Sequence, residues 1–324
     1  MTETPITMED VTPSTPPRSQ WADVWDQFKS HRGAMVGAWV FIFIVLLVLV
    51  GPWIYWNDPQ LVPTGRDFLT LRDTRPIYTV LWEPDAKVNW AYPLGTDNIG
   101  RDTLGRLLMG GRVSIAVGLA AMLLSVVLGT LVGVAAGYFR LLDGPLMRLT
   151  DLFLALPLLP LLLVAVLLFR DPLSSAFGPE GGTFILIVTL VGLTSWMQTA
   201  RIVRGDVLAL KEREFVLAAR SIGTKPTKMI TRHLLPNVLS PIMVSATLGI
   251  ATAIITESAL SFLGFGFPPD FPTWGKLLFD AVDRMELYPE RVVWPGLMIS
   301  LTVLSVNYVG DGLRDALDPR IRGR

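Results

Sequence analysis

The sequence contains no cysteine. That excludes disulfides, a thiolate nucleophile and any cysteine-ligated metal centre. Histidine is nearly absent, with His31 and His233 the only two among 324 residues. Histidine-rich metal sites are therefore excluded, and no metal ligand is assigned. Charge is scarce as well. Asp, Glu, Lys and Arg make up 17% of the chain, against about 25% in an ordinary soluble domain. The 28 basic and 28 acidic residues cancel. The chain thus lacks the basic stripe of a nucleic-acid binder, and no nucleic-acid partner is expected. The GxxxxGK[ST] phosphate loop, HExxH and GxSxG are all missing. ATP binding by that loop and the corresponding hydrolytic chemistries have no footing, so no catalytic residue is assigned and the chain is not read as an enzyme.

What the sequence does have is apolar surface. Hydrophobic residues make up 51%, and mean hydropathy is +0.48. They concentrate in six stretches free of Asp, Glu, Lys and Arg: 34–56, 113–139, 152–169, 183–200, 238–256 and 292–309. About 20 helical residues cross the ~30 Å hydrocarbon core. Backbone groups in lipid must be satisfied internally, so these runs predict helices rather than an open sheet. The expected fold class is all-α, a polytopic membrane protein with six transmembrane helices.

Basic residues in the connections give an orientation. With the N-terminus inside, segments 1–33, 140–151, 200–237 and 310–324 carry 17 Lys and Arg. The opposite segments 57–112, 170–182 and 257–291 carry 11. Both termini are expected in the cytoplasm. The order is then a disordered polar tail (1–20), an interfacial helix (21–33), the first span (34–56) and an external loop with a short helix (57–112). A core of five further spans follows (113–310), including a cytoplasmic loop at 200–237, and then a cytoplasmic tail (311–324). Trp21, Val24, Trp25 and Phe28 form the apolar face of the interfacial helix.

Four patterns are candidates for function. Residues 205–237 read as helix, turn, helix, with Gly223 at the left-handed position that ends the first helix. Thr224 is placed to cap the second helix, and Pro226 suits its first turn. That helix is expected to end before Pro236. In segment 92–119, Thr96 or Asp97 is placed to cap a helix starting near Ile99, with Asp102 and Arg106 paired at i, i+4. Gly129, Gly133 and Gly137 repeat at a spacing that permits close helix approach, within the bundle or between subunits. Ser245, Gly249, Thr252 and Thr256 form a small polar stripe on the fifth span. The stripe serves either helix packing or a water-filled path. Glu257 adjoins it, either meeting substrate or pairing with a basic residue.

Ala218-Ala219, Gly223, His233 and Leu235-Pro236 stand in the order and spacing of the EAA loop, and the chain resembles permease subunits of ABC importers. Leu217 and His233 occupy positions where that loop usually has Glu and Ile. Leu94-Gly95-Thr96-Asp97 with Gly100-Arg101-Asp102, residues 257–266 and residues 294–320 are similar to the dipeptide/oligopeptide/nickel branch, and to its C-type permease. The resemblance gives no reading of the external insertion 60–91, which contains Arg72, Asp73, Trp82, Glu83 and Trp90.

The resemblance implies the type I importer permease fold in a cell's inner (plasma) membrane. It implies an ATPase-coupling loop carrying Glu214, Ala218, Ala219, Arg220, Gly223, Thr224, Lys225, Pro226, Arg232, His233, Leu235 and Pro236. The implied partners are a homologous permease subunit, two ATPase subunits that hold ATP and Mg, an external substrate-binding protein and the lipid bilayer. No cofactor is expected in this chain. The rival reading is a stand-alone secondary transporter or channel. It would call for interrupted helices and for ionisable groups at mid-membrane, and the span interiors carry no charge.

Overall fold

The computed structural model describes residues 20–317. The expected polar tail, up to residue 19, and the end of the C-terminal tail, from 318, lie outside the described residues.

Thirteen helices follow one another among the described residues, with no strand beyond two isolated bridges. They are α1 (Gln20–Ser30), α2 (Arg32–Ile54), α3 (Gly65–Leu71), α4 (Thr103–Tyr138), α5 (Arg140–Ala155), α6 (Leu158–Phe177) and α7 (Pro179–Leu193). Then come α8 (Trp196–Lys211), α9 (Glu214–Ser221), α10 (Pro226–Lys228), α11 (Leu235–Phe262), α12 (Trp274–Val282) and α13 (Glu290–Leu317). A 3-10 turn covers Ile77–Leu81, and a π-turn, Met229–Leu234, joins α10 to α11. Six helical stretches are long and apolar enough to cross a membrane: Arg32–Ile54, Thr103–Tyr138, Leu158–Phe177, Pro179–Lys211, Pro226–Phe262 and Glu290–Leu317. The all-α, six-span expectation holds.

The spans outrun their charge-free runs. At 1.5 Å per residue, the 36 residues of α4 reach roughly 54 Å, well beyond the hydrocarbon core. Its first turns absorb part of the segment expected as external loop, and they carry Arg106 and Arg112. Arg112 answers a defect in α2. Pro52 has no N–H for the Val48 carbonyl one turn back. Arg112 Nε donates to that oxygen at 2.7 Å, and its Nη2 to Leu49 O. The expected external segment 170–182 is also largely helical, with only Gly178 (φ +79) separating α6 from α7. Helix α13 continues to Leu317, so 311–317 is helix rather than tail.

Helix α4 is the axis of the bundle, packed by α8, α11, α7, α2 and α12. Its glycine repeat is the seam with α8. A Cβ on Gly129 would sit 2.7 Å from Trp196 O, one on Gly133 2.7 Å from Ala200 O, and one on Gly137 2.8 Å from Val207 Cβ. The repeat therefore serves close approach within the chain. The fourth span is interrupted at Thr194–Ser195, whose hydroxyls donate back to Leu190 and Val191 carbonyls.

The expected interfacial helix is partly absorbed into the bundle. Val24 and Phe28 of α1 are buried with Ala34 and Ala316, against the end of α13. Trp25 of the same face is exposed. His31 caps α2, its Nδ1 accepting from Ala34 N at 3.0 Å.

Two ends of the bundle can be told apart. One, the network end, gathers residues 55–102 and 263–289. The other, the basic end, carries the turn between α9 and α10.

Candidate functional site

Three of the four stripe residues face a cavity of about 260 Å³ between α4, α5, α6, α8 and α11. Ser245, Gly249 and Thr252 line it from α11, Ser125 from α4, and Thr194, Ser195, Gln198 and Thr199 from the broken fourth span. Leu154, Leu158 and Met197 supply apolar wall. No Asp, Glu, Lys, Arg or His is among the lining residues. The Ser245 hydroxyl is buried with no hydrogen-bond partner. Thr252 spends its own proton on Leu248 O at 3.0 Å.

Thr256 and Glu257 are corrections. Thr256 is buried, donates to Thr252 O and does not line the cavity. Glu257 is wholly buried and meets neither cavity nor basic residue. Its carboxylate oxygens lie 3.1 Å from Ser114 Oγ, 2.7 Å from Ser261 Oγ and 3.5 Å from Ser258 Oγ. Ser114 Oγ accepts in turn from Trp274 N, the first residue of α12, at 3.2 Å. Thr273 caps that helix and donates to Ser261. Glu257 thus joins α4, α11 and the start of α12.

The cavity residues on the fourth span were missed from sequence. Their signal was available: Thr194, Ser195, Gln198 and Thr199 crowd polar groups into one charge-free run.

At the basic end, the turn forms as the glycine spacing implies. Ile222 closes α9, and Gly223 follows at φ +78, where an added Cβ would meet nothing within 4 Å. Gly223 N donates to Arg220 O at 3.0 Å and Thr224 N to Ala219 O at 3.2 Å. Thr224 is not the next cap; Lys225 holds that position without a side-chain bond. The second helix does not end before Pro236. It passes through the π-turn into α11 and on to Phe262. Pro236 cannot donate, and the widened turn leads into α11 with that proline in its first turn.

Val216, Ala219, Met229 and Leu234 are buried against Val203, Val207 and Val238, and fasten the turn to the spans. Of the expected coupling residues, only Ala219 is buried. Thr224, His233 and Leu235 are half-buried. Glu214, Ala218, Arg220, Gly223, Lys225, Pro226, Arg232 and Pro236 are exposed. Phe215, Leu217 and Ile222 are exposed beside them, Ile222 to 83%. Sequence reasoning missed this apolar surface because it followed the basic residues.

The third constellation organises the network end. Asp97 Oδ1 accepts from Ile99 N (3.0 Å) and Arg101 N (2.9 Å), closing a loop rather than capping a helix. Its Oδ2 takes Arg101 Nε at 2.7 Å and Arg106 Nη1 at 2.8 Å. Arg106 reaches on to Asp280 of α12, at 3.2 Å, and Lys276 also pairs with Asp280. The expected Asp102–Arg106 pair therefore does not form. Asp102 caps α4 instead, accepting from Leu104 N and Gly105 N. Burial pushes the Asp102 carboxyl up to about 6, against those two backbone donors. Thr96 Oγ1 bonds Thr74 Oγ1 at 2.8 Å, and Leu94 packs on the cluster that holds Ile44, Leu107, Trp274 and Met298. Gly95 (φ +72) and Gly100 (φ +84) pass so close to Thr74 and Pro63 that a Cβ would collide. The Leu94–Asp102 motif thus ties the start of α4 to α12 and to Pro63 and Thr74.

Residues 111–323 match the family described as binding-protein-dependent transport system inner membrane component. Residues 19–70 match the N-terminal TM domain of oligopeptide transport permease C. The chain is 35% identical over 305 residues to the oligopeptide transport system permease protein OppC of Bacillus subtilis, covering 94% of this chain and 91% of that one. It is 37% identical over 305 residues to the di/tripeptide transport system permease protein DppC of Pseudomonas aeruginosa, covering 93% and 92%. It is 34% identical over 308 residues to the glutathione transport system permease protein GsiD of Pectobacterium atrosepticum, covering 94% and 93%.

Proposed function

The chain belongs to the family of binding-protein-dependent transport system inner membrane components, and from that premise we propose that it is one permease subunit of an ATP-driven importer of peptides or related small solutes. It sits in the inner membrane with both termini cytoplasmic. It pairs with a homologous permease subunit, two ATPase subunits that hold ATP and Mg, and an external substrate-binding protein. The chain itself needs no cofactor.

The observation that carries the reading is the link between the basic end and the cavity. Exposed Phe215, Leu217 and Ile222 stand beside exposed Arg220 and Lys225 on a tight turn. Such a surface suits the cleft of a cytoplasmic partner, where buried apolar anchors give affinity and charge gives register. The helical stretch from Pro226 to Phe262 then carries any displacement of the turn to Ser245, Gly249 and Thr252. ATP-driven closure of the ATPases would move this turn toward its counterpart on the partner permease. The spans would follow as rigid bodies, exchanging inward for outward access. Each state must be favoured by differential binding, of ATP on one side and of the loaded binding protein on the other.

The cavity fits peptide cargo by its lining. Hydroxyl and amide groups can replace water around peptide bonds, and no fixed charge selects against acidic or basic side chains.

The test is uptake by the complex reconstituted in proteoliposomes, with binding protein and tripeptides of each charge. Uptake should require ATP, and Gly223→Val should abolish it while the chain still inserts. Uptake without ATP, driven by an ion gradient, would instead establish a secondary transporter. Placing a charge at the exposed Gln198 by Gln198→Lys should slow lysine-containing peptides more than glutamate-containing ones. An equal effect on both would remove the cavity from the path.

A further inference from the structure

The segment between the two family matches, residues 71–110, includes most of the insertion that the sequence left unread. Its position follows from three tethers. Tyr55 Oη and Asn57 Nδ2, just past the end of α2, donate to Ala91 O at 3.2 and 2.8 Å. Trp294 Nε1, in the second turn of α13, donates to Tyr78 Oη at 3.0 Å. The insertion therefore rests on the ends of two adjacent spans, at their level.

Its outward side chains at that level are apolar and large: Leu81, Trp82 and Trp90 are 84%, 65% and 75% exposed. They continue a surface that already exists on α2. Trp39, Phe43, Leu46, Val50 and Trp53 are exposed at spacings of four, three, four and three residues. That spacing is one face of a spanning helix, directed away from its own bundle. Trp53 and Trp56 end it, and Trp90 precedes Ala91, whose carbonyl Tyr55 and Asn57 hold at that end of α2. Glu83 follows Trp82 directly, Asp85 comes two residues later, and both are exposed, so the apolar tip has a charged border.

We infer that Leu81, Trp82 and Trp90 of the insertion sit in the phospholipid headgroup and glycerol region, extending the aromatic rim of α2 across the end of the bundle. Trp is suited to that layer because its ring is apolar and its N–H still finds an acceptor. The occupant is lipid because the surface is continuous with the membrane-facing stripe of a span. The insertion then holds the network end at a fixed depth in the bilayer.

The absence of native cysteine makes the test direct. Trp82→Cys, Trp90→Cys, Trp53→Cys and Asp85→Cys would each carry a nitroxide label. Each full-length variant would be studied with its partner subunits in nanodiscs of phosphatidylethanolamine and phosphatidylglycerol. Collision with oxygen, which partitions into lipid, is compared with collision with a water-soluble nickel chelate. The oxygen-to-chelate ratio at 82 and 90 should match that at 53 and exceed that at 85 several-fold. It should stay unchanged when binding protein is added. A ratio at 82 and 90 equal to that at 85 would place the insertion in water and overturn the assignment. Labels immobilised and shielded from both reagents, before or after binding protein is added, would assign the surface to a protein contact and overturn it equally.

Discussion

The two ends of the bundle are held together by different chemistry. At the network end, Asp97, Arg101, Arg106, Lys276 and Asp280 interlock through a set of ion pairs, with Arg106 almost wholly buried. Asp73, Arg284 and Arg291 extend it, with Arg284 Nη1 2.9 Å and Arg291 Nη1 3.0 Å from Asp73. At the basic end, Arg213, Glu214, Arg220, Lys225, Lys228 and Arg232 make no ion pair among the described residues. That turn is fastened by the apolar contacts of Val216, Ala219, Met229 and Leu234 and by its own backbone hydrogen bonds. Satisfied charges fix a shape; unsatisfied ones are left for something else to meet. The first end is built to keep its geometry and the second to receive a partner.

The largest effect should come from Arg106→Leu. It leaves Asp97 and Asp280 short of a buried partner, and breaking a buried pair costs about 3–5 kcal/mol. Thermal unfolding of the purified chain in detergent should show a lower midpoint than does Leu placed at any of the exposed Arg213, Arg220, Lys225, Lys228 or Arg232. A smaller loss than Arg220→Leu produces would reverse the contrast between the ends.

Two glycines of similar backbone angle sharpen it. Gly95→Ala meets both a left-handed φ and the Thr74 carbonyl, whereas Gly223→Ala meets the φ alone. The second should cost roughly 1–2 kcal/mol, and the first clearly more, in the same unfolding measurement. Equal losses would mean that the Thr74 contact yields freely.

Asp102 sets a smaller effect with a definite sign. Its folded-state value of about 6 lies above its ordinary 3.8. Its contribution to stability is therefore fully present below about 3.8 and lost as pH rises through about 6. Asp102→Asn removes the charge and keeps one acceptor oxygen at the cap, in place of the two that take Leu104 N and Gly105 N. Unfolding midpoints followed against pH should decline less across that window in the variant. A steeper decline would show that the charge itself is needed at the cap. Smallest of all should be Asp143→Asn. Arg204 Nη2 donates to Asp143 Oδ2 at 2.8 Å on the bundle's surface, and that hydrogen bond holds the carboxyl below its ordinary value. Surface pairs are worth about 1 kcal/mol or less, so the unfolding midpoint should barely move. A loss comparable to that of Arg106→Leu would show that this pair, too, acts as a buried one.

The spans were legible because lipid removes every option except apolar helix, so a run without charge is nearly sufficient evidence. Their ends were not, because a charge ends a run without ending a helix. Arg106 and Arg112 continue α4 since each finds an acceptor, and Lys211 reaches the Gly137 and Tyr138 carbonyls at the far end of that helix. The stripe from Ser245 to Thr252 was legible by its helical spacing. Its partners on the fourth span were hidden, because a cavity joins residues by position in space rather than by period. Glu257 was misread for a related reason. A lone acid at the end of an apolar run signals that something must satisfy it, but three serines and a helix start serve as well as a cavity does. The Asp97–Asp280 link spans too much sequence for any local pattern to announce.

The π-turn at Met229–Leu234 has a consequence for phase. A π-turn accommodates one residue more than an α-turn does, and each α-helical residue advances the helix by about 100°. Residues before and after it are thus set about 100° apart from where an unbroken helix would hold them. The face that α10 turns outward and the face that α11 turns to the cavity are indexed to each other by this single extra residue. The turn works as a fixed angular offset on a shaft: a rotation entering at Pro226 arrives at Ser245 undiminished, and the offset decides which side chains it brings toward the cavity.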